Sequence, residues 1–85
     1  MSEFLENGDL GPKAAEGFRF AVVVSRFNAD ITEALFEGVQ TTLTAHGASS
    51  SNISVYDVPG SFELPMTVAR LSDERFDAII CLAAI

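Results

Sequence analysis

Apolar positions along the chain fall into short continuous runs and longer periodic stretches. Phe18-Arg19-Phe20-Ala21-Val22-Val23-Val24-Ser25 is apolar and β-branched through its second half, the pattern of a strand covered on both faces. Arg26-Phe27-Asn28 breaks the run. Ile31, Leu35, Val39 and Leu43 then recur every fourth residue, which predicts one apolar stripe on a helix of roughly four turns. Asn28 or Asp30 is the expected cap, with Glu33 three residues after Asp30 in capping-box spacing, and Gly47 after His46 is the expected stop. A polar loop, Ser49 to Asn52, precedes a second strand, Ile53 to Val58, which Pro59-Gly60 ends. A second helix is expected from Ser61 or Phe62, with Pro65 tolerated near its first turn and Leu64, Val68 and Leu71 on one face. Ser72 to Phe76 is a polar exit, and Ala78 to Ile85 reads as a third strand buried on both faces.

The order β-α-β-α-β predicts parallel strands joined by right-handed crossovers, with helices on both faces of the sheet. Residues 1–17 carry Gly8, Gly11, Pro12 and Gly17 and few apolar side chains, so they are expected to form an N-terminal arm, with Phe4 and Leu5 as an anchoring pair. Residues 18–85 are then an α/β domain that stops inside its third core strand, and the expectation is an incomplete domain or one finished by a second chain.

Composition narrows the function. The net charge is −7 with five Lys and Arg, which excludes a general nucleic-acid binder and disfavours an anionic membrane surface. One small phosphorylated ligand needs only a local positive site and stays allowed. Cys81 is the sole cysteine, so no internal disulfide can form, which suits a reducing cytosol. Its place in an apolar run predicts a buried, inert thiol. The opening MSEFLENGDLGPKAAEG is acidic and polar, so no secretory or transit peptide is expected there. There is no metal-ligand spacing, G-x-G-x-x-G or Walker-type loop.

In open parallel sheets ligands bind beyond the carboxyl ends of the strands. Three segments lie there: Ser25 to Asn28, Val58 to Glu63, and Ala84-Ile85. Phe27 can stack on a flat heteroaromatic ring, or it can pack under the first helix as core. Ser61 and Glu63 can hold polar ligand atoms at a helix start, or Ser61 can be a simple N-cap with Glu63 favouring the helix dipole. His46, the one histidine, falls in the last turn of the first helix at the opposite end, where a contact with the helix dipole or plain exposure is expected.

These same segments resemble the 6,7-dimethyl-8-ribityllumazine synthase family of riboflavin biosynthesis, over roughly residues 17 to 85. The resemblance rests on Ser25-Arg26-Phe27-Asn28, Glu37-Gly38, His46-Gly47, the run Val58-Pro59-Gly60-Ser61-Phe62-Glu63-Leu64-Pro65, and Asp77-Ala78-Ile79-Ile80-Cys81-Leu82. It implies a flavodoxin-like, three-layer α/β/α fold, here truncated after the third core strand. It also implies a cytoplasmic transferase whose subunits form pentamers or icosahedral shells of pentamers. The implied reaction condenses 5-amino-6-(D-ribitylamino)uracil with 3,4-dihydroxy-2-butanone 4-phosphate and uses no cofactor or metal. By the resemblance Phe27 stacks on the pyrimidine with Asn28 beside it. Ser61, Phe62 and Glu63 hold the ribityl chain and polar ring edge, and Ala84 and Ile85 line the ring pocket. The family's phosphate-binding turn and its histidine lie beyond Ile85, and His46 does not match that histidine. Ala83 stands where the family usually has glycine. The implied picture is a ring-and-ribityl half-site, inactive as an isolated chain. The alternative is a noncatalytic relative that binds lumazine or flavin, or that forms shells.

Overall fold

Val22 and Val23 are wholly screened from solvent, and every residue of β1 (Phe20–Ser25) is buried. Burying each such valine is worth about 1.5–3 kcal/mol, which makes β1 the natural centre of the fold. The computed structural model, which describes residues 11–85, places β1 between β2 (Ile53–Val58) and β3 (Ala78–Leu82). Both neighbours run parallel to it, with Val22 opposite Val55 on one side and Ile80 on the other. The spatial order β2-β1-β3 is the opening of the flavodoxin-like doubly wound sheet.

Alternation along β1 divides the core in two. Ala21 and Val23 face a cluster with Val58, Tyr56, Ile79, Phe76 and the helix α2 (Leu64–Leu71). Phe20 faces the opposite cluster, with Ile53, Ala78, Ile80, Ala48 and Leu43 of α1 (Ala29–Ala45). One helix therefore covers each face, giving the three layers expected from the sequence. A short 3-10 turn, Ser61–Glu63, precedes α2, and Pro65 falls in the helix's first turn, where its missing N–H costs nothing.

Several local expectations change. Asn28 is the N-cap of α1 by position, but its side chain makes no capping bond, and Asp30 lies inside the first turn. The stripe of α1 is covered unevenly. Leu43 packs on the sheet, whereas Ile31 and Leu35 stay exposed. The one fully buried side chain of α1 is Thr32, whose hydroxyl donates to the Ser25 carbonyl at 2.8 Å and fastens the helix start to the end of β1.

β3 is an edge strand and only partly buried, so the expectation of two covered faces fails there. Cys81 is accordingly exposed, not buried. It shares a face with Ile79, but Ile79 reaches the α2 cluster and Cys81, two residues farther along, does not. The eight-residue α2 gives it no cover.

At the other end of α1, His46 Nδ1 lies 2.8 Å from the Thr42 carbonyl, which also accepts the His46 backbone N–H at 3.2 Å. Gly47 ends the helix at φ 97°, and a Cβ there would stand 3.3 Å from Glu16 Cβ and Lys13 Cα. Both the conformation and the close approach call for glycine. That approach comes from turns over residues 11–17, where Ala15 is buried and its N–H donates to the His46 carbonyl at 2.9 Å. Phe4 and Leu5, the expected anchor of the arm, lie outside the described residues. Among the described residues no helix is long and apolar enough to cross a membrane, and no cluster of His, Cys, Asp and Glu is placed to hold a metal.

Candidate ligand-binding site

The carboxyl ends of the strands converge on one rim, and there Phe27, Pro59, Gly60, Ser61, Phe62 and Ile85 enclose a cavity of about 280 Å³. Phe27 is 59% exposed and Phe62 94% exposed. That removes the reading of Phe27 as core under α1. An aromatic ring held open to solvent at a strand end is available to a flat ligand.

The β1–α1 loop sets the ring's place. Arg26 N–H donates to the Val58 carbonyl at 2.7 Å, which carries the β1–β2 ladder one residue past the strand. Asn28 then adopts the left-handed conformation, φ 58° and ψ 52°, which asparagine tolerates better than most side chains. Its amide Nδ2 donates to the Ala84 carbonyl at 3.5 Å, linking the loop to the end of the β3 segment. Phe27 is thus presented between an anchor to β2 and an anchor to the chain after β3.

The second wall is the turn after β2. Glu63 N–H donates to the Gly60 carbonyl at 3.2 Å, and Glu63 Oε1 accepts from Gly60 N–H at 2.8 Å. Gly60 is the N-cap of the 3-10 turn and Glu63 that of α2, so the simple capping reading fails for Ser61. One carboxylate oxygen of Glu63 fixes the turn, and the other makes no bond to the described residues. Ser61 lines the cavity, and its hydroxyl makes no bond to the described residues.

Of the seven residues singled out from the sequence, Phe27, Ser61, Phe62 and Ile85 line one cavity. Asn28 and Ala84 join each other beside it, and Glu63 braces its wall without lining it. No lining side chain is charged. Sequence reasoning missed a charged link at the same rim. Arg26 Nη1 lies 3.4 Å from Glu33 Oε1 and Nη2 lies 3.2 Å from Asp57 Oδ2. The signal was available, because Arg26 follows β1, Asp57 precedes the end of β2, and parallel strands bring those ends together. Ser25 Oγ is also buried there with no hydrogen-bond partner among the described residues, an exception to the usual pairing of buried hydroxyls.

A larger cavity, about 390 Å³, lies at the amino ends of the strands between Ala14, Phe18, Leu43, His46 and Asp77. Two of its polar side chains are engaged, since Asp77 accepts from Arg19 N–H at 2.7 Å and His46 bonds the Thr42 carbonyl. The smaller cavity has the strand-end position, the open aromatic ring and the unused polar atoms that ligand recognition needs.

A family model described as 6,7-dimethyl-8-ribityllumazine synthase matches residues 17–85. A curated protein of that name from Syntrophus aciditrophicus (strain SB) is 45% identical over 76 residues, covering 88% of this chain and 49% of the relative. The chain spans about half the length of that curated relative.

Proposed function

The chain belongs to the 6,7-dimethyl-8-ribityllumazine synthase family, and from that premise we propose that its carboxyl-end cavity is the ring-and-ribityl part of a synthase site. The substrates are 5-amino-6-(D-ribitylamino)uracil and 3,4-dihydroxy-2-butanone 4-phosphate, and the product is 6,7-dimethyl-8-ribityllumazine. The observation that carries this reading is the meeting of Phe27 with Ser61 and Phe62 around one opening. Phe27 stacks on the pyrimidine, Asn28 fixes the loop beside it, and Ser61, Phe62 and the free oxygen of Glu63 take the ribityl chain and ring edge. Ala84 and Ile85 supply backbone groups at the floor. The attacking amine belongs to the substrate, so orientation is the protein's main contribution.

The uncharged lining supports a division of labour. Phosphate on the second substrate needs a cation, and Arg26, beside this rim, is engaged by two carboxylates. The phosphate half of the site therefore comes from residues outside these 85. The same observation favours a second reading, a lumazine or flavin binder without catalysis. Exposed Ile31, Leu35 and Met66 support burial against neighbouring subunits, in a cytoplasmic pentamer or a multiple of pentamers.

Fluorescence titration with 6,7-dimethyl-8-ribityllumazine tests the ring site, and product absorbance tests turnover. The expected result is saturable binding without turnover by the isolated chain. Turnover at the rate of a complete synthase would refute the division of labour, and absent binding would refute the site. Native mass spectrometry gives the subunit count.

A further inference from the structure

We propose that Arg26 is a positioning residue that holds the Phe27 ring over the cavity. The inference rests on the reading of that cavity as a ring-binding site. Arg26 is the residue before Phe27, and three elements meet on it. Its N–H is bonded to the Val58 carbonyl at 2.7 Å, Nη2 lies 3.2 Å from Asp57 Oδ2 near the end of β2, and Nη1 lies 3.4 Å from Glu33 Oε1 on α1. The wall opposite Phe27 begins at Pro59, two residues after Asp57. The guanidinium thus ties the loop that carries the ring both to the strand that carries the facing wall and to the helix that follows the loop.

The three side chains are about half exposed, so each pair alone contributes little to stability. Their effect is geometric. A planar guanidinium presents separate N–H groups in fixed directions and can hold two carboxylates at once, whereas the point charge of lysine cannot reproduce the spacing. Without it, Glu33 and Asp57 face each other at the rim as like charges, and their repulsion opens the space between loop and wall. Thr32 and Asn28 restrain the loop from its other side, through the Ser25 and Ala84 carbonyls. Loss of Arg26 therefore tilts the ring without unfolding the sheet.

The experiment is a double-mutant cycle in the 85-residue chain, Arg26→Gln with Phe27→Ala. It is read by fluorescence titration with 6,7-dimethyl-8-ribityllumazine and by nuclear Overhauser contacts from the Phe27 ring to Gly60, Ser61 and Phe62. Arg26→Gln is expected to remove those contacts and weaken binding about fivefold, with a small change in melting temperature. In the Phe27→Ala background the same substitution is expected to change binding less than about twofold, because the two residues act through one contact. Arg26→Lys should restore little. Asp57→Asn and Glu33→Gln each remove one arm and should give part of the effect, which keeps the test intact if Arg26→Gln unfolds. Ring contacts preserved in Arg26→Gln, or losses that add independently of Phe27, overturn the proposal. The ring contacts need no ligand. If the wild-type chain binds no lumazine, the proposed function fails and the contacts alone still decide the role of Arg26.

Discussion

The two ends of the sheet are built from the same three strands and finished in opposite ways. At the amino end the chain folds back over the sheet, with Phe18 half exposed beside the cavity of about 390 Å³. Ala15 and Ala48 are buried against Phe20, the His46 ring and the Asp77 carboxylate bond to nearby backbone, and Gly47 lets the preceding turn approach. At the carboxyl end Phe27 and Phe62 stay in solvent, and among the described residues the Ser61 hydroxyl and the buried Ser25 Oγ have no hydrogen-bond partner. Leaving the Ser25 hydroxyl buried and unpaired costs stability, which suits the proposed function of the carboxyl end as the binding end.

The largest effect should come from the element both ends share. Val23→Ala removes part of a fully buried side chain from β1 and is expected to destabilise the fold by about 2 kcal/mol, read by urea denaturation. It should loosen both ends together. Phe27→Ala should separate them. Loss of stacking is expected to weaken ribityllumazine binding by about 1–2 kcal/mol, while stability shifts by less than about 0.5 kcal/mol because the ring is exposed. Thr32→Val deletes the hydroxyl that donates to the Ser25 carbonyl and leaves that oxygen short of a partner. A loss of about 1 kcal/mol in stability is expected, with faster amide exchange in the 26–28 loop and none of that change at residues 44–48. His46→Ala is the smallest, a cost of about 0.5 kcal/mol with unchanged ligand affinity, since the ring serves the helix end alone.

How far the sequence foretold this molecule differs between the same two ends. The succession of strands and helices follows from runs whose periodicity is strong, such as Val22 to Val24 and Ile31 to Leu43, and the parallel direction follows from the crossovers between them. The placing of Phe27 with Ser61 and Phe62 follows from the rule that parallel strands share a carboxyl rim. What periodicity cannot register is coverage. Cys81 and Leu82 look alike in an apolar run, yet Cys81 is exposed because β3 is at the edge and α2 is short. Nor does spacing show which polar atom a side chain chooses. Asn28 was readable as a cap but turns to Ala84, and Glu63 reaches back to Gly60 N–H. The Arg26 link joins residues from three elements, and spacing shows it only through the parallel pairing of β1 with β2.

The most direct measurement is backbone and aromatic chemical-shift mapping of the chain titrated with 6,7-dimethyl-8-ribityllumazine. Saturable shifts at Phe27, Gly60, Ser61, Phe62 and Ile85, with Ala15, His46 and Asp77 unmoved, are the predicted result. Shifts concentrated on Phe18, His46 and Asp77, or no saturable shift at the carboxyl rim, would contradict the account.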